Sequence, residues 1–376
     1  MKKQERLTVV RAFSKEYKRT SKKQKGVLLE RLVQTTGYSR KHLMDILSQF
    51  PKAKRIRRKR VSKYLFVIKY LRKLWAISNY ACGQRLAPMI PSYLAALRRH
   101  KELTVTKEER KLLCSISHAT IDRLLKHERK RINLKGRSRT KPGTLLKHQI
   151  PIRTFADWNE KQPGFLEIDT VHHCGDSLRG DYVHTLDTTD VFTGWNECRA
   201  FMGKSERNTV EALEHIKQNK LPFPMLGIDF DTGGEFVNYH LIRYSDRNKI
   251  SYTRAREGKK NDQNYIEQQN YSVVRRFVGY QRLDTPEQLQ MLNQMYDLLS
   301  DYQNFFQPVM RLKEKVRNGT KVTRRYDKPK TAYQRVLADK RITQEAKKKL
   351  RERYSTLNPK RLLLKITSLG KKLSKR

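Results

Sequence analysis

The chain has 376 residues, enough for two or three domains with separate cores, and its 83 Lys and Arg against 37 Asp and Glu give a formal charge of +46. A compact state this basic repels itself unless a polyanion neutralises it, so nucleic acid is the expected partner. The four cysteines, Cys82, Cys114, Cys174 and Cys198, have no paired spacing, and His172-His173-Cys174 lacks a Cys-x-x-Cys counterpart, which argues against a disulfide framework and against a zinc site.

In chain order, Leu28, Leu29, Leu32 and Val33 recur at helical spacing until Thr35-Thr36-Gly37-Tyr38-Ser39 interrupts them. Ser39 can cap a second helix that buries Leu43, Ile46 and Leu47 and carries Arg40, Lys41 and His42. Helix, Gly-containing turn and basic helix make a helix-turn-helix pattern, with an ordinary helical hairpin as the alternative. Residues 61–97 carry apolar helical stripes, among them Tyr64, Leu65, Ile68, Leu71 and Leu74. A second unit follows, with Thr106 and Glu109 as a capping box and a helix from Ser117 that faces Ile121, Leu124 and Leu125 inward and displays His118 and Arg123. Residues 129–147 lose periodicity and turn to Gly, Pro, Ser and Arg, a basic linker in which Arg137 and Arg139 can follow phosphates.

From Gly164 the pattern changes to strands: residues 165–171, 181–187 and 193–201, then a helix from Ser205 burying Val210, Leu213 and Ile216. A strand at 225–231, a helix from about Glu235 and a short strand at 250–253 complete it. Three consecutive strands followed by alternation with helices predict an α/β mixed sheet. Residues 161–310 hold 17 basic and 21 acidic residues, so a slightly acidic centre lies between two strongly basic flanks. Flanks that grip a polyanion and a centre that concentrates cations suit an enzyme better than a structural packaging protein. The end beyond Arg311 is basic again and is expected to be mobile or bound to DNA.

Three acids fall where this sheet would gather them: Asp169 inside the first strand, Asp231 after the strand at 225–230, and Glu267 in a segment that reads as a helix start. Carboxylate oxygens suit Mg²⁺, and a few of them can hold two ions while leaving room for water and phosphate oxygens. Such a pair activates a water or 3′-hydroxyl and stabilises the leaving oxygen in an in-line displacement at phosphorus. Asp229 competes with Asp231 by proximity, and the Gly-x-Glu-Phe context favours Asp231. Asp187 reads either as a support from the adjacent strand or as a turn residue, and Glu235 as an early-helix acid. His172 and His173 read as exposed strand-end residues, with DNA contact as the alternative.

These phrases resemble the DDE transposase and retroviral-integrase family. Asp231-x-Gly-x-Glu-Phe resembles its second-aspartate motif, Asn264-x-x-Glu267 its glutamate motif, and Leu186-Asp187 through Gly194-Trp195 its second- and third-strand region. The 35 residues between Asp231 and Glu267 match a spacing many members share. The resemblance spans roughly residues 164–283 and is nearest to bacterial insertion-sequence transposases. It departs in lacking the integrases' His-His-Cys-Cys module and in having Lys260-Asn261-Asp262-Gln263-Asn264 where a Pro-x-Asn phrase is common.

The resemblance implies an RNase H-like catalytic core, with Asp169, Asp231 and Glu267 as catalytic and metal-holding residues and two Mg²⁺ ions, for which Mn²⁺ can substitute. It implies end cleavage and joining of 3′-hydroxyls to target DNA. Apart from the resemblance, the basic, Gly-containing stretch with Lys259 and Lys260 suits a loop on DNA phosphates, and Arg275 and Arg276 either continue that track or solvate the helix. The expected organisation is a helix-turn-helix unit at 1–55, a second helical unit at 56–130, a basic linker at 131–160, the core at 161–310 and a basic DNA-binding region at 311–376. The expected partners are double-stranded DNA and further copies of the chain. With no apolar run of membrane-spanning length, a cytoplasmic, nucleoid-associated protein is expected. A nuclease of the same fold that does not join strands, and a catalytically silent DNA-binding regulator, are the alternatives.

Overall fold

The computed structural model describes residues 1–49, 62–131, 162–230, 239–254, 270–318 and 321–374. They divide into two compact units, Met1–Ser62 and Lys63–Arg376.

The first unit is three helices: α1 (Lys3–Arg19), α2 (Lys22–Thr36) and α3 (Arg40–Gln49). Ser21 and Gln24 form a reciprocal capping box at the start of α2, and Gly37 ends it at a φ of 67°, a left-handed conformation that favours glycine. The Ser39 hydroxyl accepts from the His42 amide, as expected of a cap. Leu28, Leu29, Leu32, Leu43 and Leu47 pack with Val10 of α1, a helix the sequence pattern leaves unassigned because charged residues dominate it.

The second unit opens with a helical turn at Lys63–Val67, then α4 (Ile68–Ile77), α5 (Gly83–Arg99), α6 (Lys107–Ser115), α7 (His118–Leu124) and α8 (Lys126–Arg131). Thr106 and Glu109 make the expected capping box, and Ile121 and Leu125 are buried. The sheet strands are β1 (Phe165–His172), β2 (Val183–Asp190), β3 (Asn196–Met202), β4 (Gly227–Phe230) and β5 (Ser251–Arg254), in the order β3-β2-β1-β4-β5. β1 pairs antiparallel with β2 and parallel with β4, so the sheet is mixed, as the strand spacing predicts. Helices α9 (Glu206–Asn219) and α10 (Tyr239–Asn248) fill the crossovers on either side of β4.

A π-helical turn, Asn270–Arg275, runs into a short helical turn, Arg276–Val278, and then α11 (Pro286–Phe306) lies along β3. A two-stranded ribbon, β6 (Leu312–Asn318) and β7 (Lys321–Tyr326), precedes α12 (Ala332–Ala338), α13 (Gln344–Thr356) and α14 (Pro359–Leu373). Of the two expectations for the chain end, mobile or bound to DNA, the packing of α14 departs from the first. Leu362, Ile366, Gly370 and Leu373 form one buried stripe of α14, which packs on α11 and α5 despite the Lys and Arg between them. Tyr93 of α5 donates to the Phe306 carbonyl at 2.8 Å, and Tyr302 of α11 to the Ile77 carbonyl at 2.7 Å. These bonds join the helices at 63–131 to the sheet and its helices in one core. No helix among the described residues is long and apolar enough to cross a membrane.

Candidate functional site

Strand alternation collects acids on one face of the sheet. Asp169 in β1 stands opposite Asp187 in β2, and Glu167, two residues before Asp169, shares its face and is the register partner of Asp229 in β4. Glu167, Asp187 and Asp229 are buried, while Asp169 is half-buried and reachable. Its Oδ1 accepts the Thr170 amide at 2.7 Å, and its Oδ2 accepts from the side-chain amide of Asn270. Both Asp169 oxygens therefore act as acceptors.

Asp187 differs. Burial pushes its pKa up to about 7, against hydrogen bonds from Asn196 Nδ2 at 2.5 Å and Cys198 Sγ at 3.5 Å that favour the ionised form. Its Oδ2 has no hydrogen-bond partner among the described residues. Asp229 accepts the Thr253 hydroxyl at 2.5 Å and is fully buried, deeper than Asp169. Among the described residues, no three His, Cys, Asp or Glu side chains are grouped closely enough to hold a metal ion.

The other two acids of the expected triad, Asp231 and Glu267, lie outside the described residues, as do Arg137, Arg139, Lys259 and Lys260. The structure does describe their chain neighbours. β4 runs to Phe230, whose register partner is Ile168, the residue before Asp169. Asn270, three residues after Glu267 in sequence, reaches Asp169.

Arg275 and Arg276 are held by main-chain carbonyls. Arg275 donates to His172 O at 2.8 Å and Gly279 O at 3.4 Å and lies over the Tyr280 ring, and burial lowers its pKa. Arg276 donates to the Asn79 carbonyl at 2.6 Å. They fasten the turn that begins at Asn270 to the end of β1 and to the 79–80 turn. Arg40, Lys41 and His42 are exposed at the start of α3, with Arg40 3.4 Å from Glu30. His118 and Arg123 are exposed on α7, where Arg123 folds back onto the Ala119 carbonyl and the Thr120 hydroxyl.

His173 corrects the expectation of exposed strand-end histidines. It is fully buried, bonded through Nε2 to the Thr185 hydroxyl at 2.8 Å, which in turn bonds Tyr296 at 2.7 Å. Burial holds its pKa well below the usual value, so the ring is neutral. The sequence reading also passes over Asn270 and Glu167. The signal for Glu167 is its spacing, two before Asp169 on a strand, and that for Asn270 is its place three residues after Glu267 in sequence.

No family model matches the chain. Among solved structures, the catalytic core domain of BIV integrase is similar at a TM-score of 0.31 and 12% identity, covering 46% of this chain and 91% of that one. The HTLV-2 integrase catalytic core domain in complex with magnesium, in a dimeric form, is similar at a TM-score of 0.30 and 15% identity, covering 40% of this chain and 92% of that one. Over 327 residues the chain is 36% identical to the uncharacterized protein y4rM of Sinorhizobium fredii, covering 86% of this chain and 93% of the relative, and it belongs to the same family as that protein.

Proposed function

We propose that this protein is a DNA transposase that cleaves phosphodiester bonds at element ends and joins the freed 3′-hydroxyls to target DNA. The observation that carries the reading is the bond from Asn270 to Asp169, taken with the register of Phe230 beside Ile168. Phe230, the residue before Asp231, and Asn270, three residues after Glu267 in sequence, thus both lie by Asp169, a half-buried carboxylate of the sheet face.

The donor set consists of hard carboxylate oxygens, and Asp169 presents both of its oxygens as acceptors, which fits Mg²⁺. Asp169, Asp231 and Glu267 would hold the ions, which supply activation of the attacking oxygen and charge neutralisation at phosphorus. Asn270 holds the Asp169 carboxylate in orientation, and Arg275 and Arg276 fix the turn that bears Asn270. The helices at 22–49 and 107–124 would recognise element ends, and pairing of two ends calls for an oligomer on DNA.

The test is a plasmid carrying the gene with its native flanking DNA, with new junctions sequenced for wild type and for Asp231→Asn. New junctions with wild type and none with the variant support the reading. Cleavage of flanking DNA with no joined product would replace it with a nuclease, and binding without cleavage with a regulator.

A further inference from the structure

The ribbon β6–β7 has a composition and setting that the catalytic reading leaves unused. Its fifteen residues, Leu312 to Tyr326, include six Lys and Arg and one acid, Glu314, which is already paired with Arg325 at 3.1 Å. The register sets Lys315 opposite Arg324, two like charges directly across a ladder. Such pairs are destabilising, and a two-stranded ribbon alone is marginal in water. Among the described residues no helix or other strand packs extensively on it. Val316, on one face, is 40% exposed and Tyr326, by alternation on the other, is 49% exposed.

The base of the ribbon, by contrast, is firmly fixed. Asp327 accepts from the Arg311 amide at 2.7 Å and from Arg335 at 2.7 Å, and Arg335 also donates to the Val309 carbonyl at 3.0 Å. Arg311 reaches the Asp190 carbonyl at the end of β2 at 3.1 Å. An arm rich in Lys and Arg is thus held at one end by the core and exposed at its described positions, Glu314, Val316, Thr323, Arg325 and Tyr326. Edge protection against aggregation would account for a few lysines. It does not call for cations set opposite one another.

We propose that the β6–β7 ribbon is a duplex-DNA contact of this protein, an arm that lies along a groove with its cations on the phosphates. The dimensions agree, since the major groove admits a two-stranded β-ribbon. The inference rests on the proposal that the substrate is DNA, and it moves the expected C-terminal contact from the chain end, where α14 is part of the core, to the ribbon.

The full-length protein with Lys315→Gln, Arg317→Gln and Arg324→Gln together would be compared with wild type for binding a random-sequence DNA duplex across a range of salt concentrations. Each phosphate contact contributes about 0.9 to the slope of log K against log salt. The variant is expected to bind with a slope shallower by about 2 to 3, at an unfolding midpoint no lower than that of wild type. A wild-type slope and affinity in a folded variant would overturn the proposal, as would a preference of the wild-type ribbon for an RNA duplex. Should the triple variant unfold, Val316→Cys bearing a photoactivated crosslinker decides the matter: crosslinks to the duplex support the arm, and their absence overturns it. Wild-type protein that shows no salt-dependent duplex binding would instead sink the DNA reading itself.

Discussion

The side-chain amide of Asn270 donates a hydrogen bond to the carboxylate of Asp169, a residue 101 positions earlier in the chain. Partners that orient a metal-holding carboxylate typically change metal affinity or activity 10- to 100-fold when removed, a range of about one to two powers of ten. Asn270→Ala is therefore expected to raise the Mg²⁺ concentration needed for half-maximal strand joining by roughly that factor. It is also expected to weaken stabilisation by Mg²⁺ in a thermal-unfolding titration, a readout independent of turnover. An unchanged Mg²⁺ midpoint in both would reduce the contact to a structural one.

Glu197 is buried beneath α11, where it accepts from Trp195 Nε1 at 2.7 Å, the Ser300 hydroxyl at 2.7 Å and Asn304 Nδ2 at 3.1 Å. Burial pushes its pKa from 4.5 up to about 8. A carboxyl group raised in the folded state supports folding fully below its unfolded value, and that support is lost as pH rises through the folded value. Glu197→Gln, neutral at every pH, is expected to be more stable than wild type above pH 8 by roughly 2–4 kcal/mol, with no such gain near pH 4. Unfolding midpoints measured across that window check this, and parallel pH profiles for the two proteins would count against it.

Gly370 sits where α14 approaches the backbone after Arg276 most closely. A Cβ placed there would come within 2.5 Å of the Phe277 carbonyl oxygen. Backbone cannot move aside as a flexible side chain can, so Gly370→Ala is expected to destabilise the second unit by about 1–3 kcal/mol. Denaturant unfolding of the full chain measures it, and an unaltered midpoint would mean that α14 shifts at little cost.

Much of the sheet was legible because its strands carry local signals. The place of Asp169 in a strand is legible from sequence since Ile168 and Val171 bracket it, and the Ser205 and Thr106 caps mark their helices correctly. What stays hidden is what depends on distant chain. His173 looks like an exposed strand end, yet its backbone pairs with both Val183 and Leu283, and Tyr296 lies behind its hydroxyl partner. Nothing local to Arg275 and Arg276 shows that they bond the carbonyls of His172 and Asn79. In α14 the apolar stripe at 362, 366, 370 and 373 is present in the sequence, but the surrounding basic residues outweigh it in any reading by composition.

The bond from Tyr93 to the Phe306 carbonyl spans 213 residues. During synthesis at about 5–20 residues per second, α5 leaves the ribosome roughly 10–40 s before the helix that covers it exists. The part of α5 that packs on α11 and α14 is uncovered for that interval. A prematurely terminated chain is therefore expected to keep a sticky helical surface and to be cleared or to aggregate.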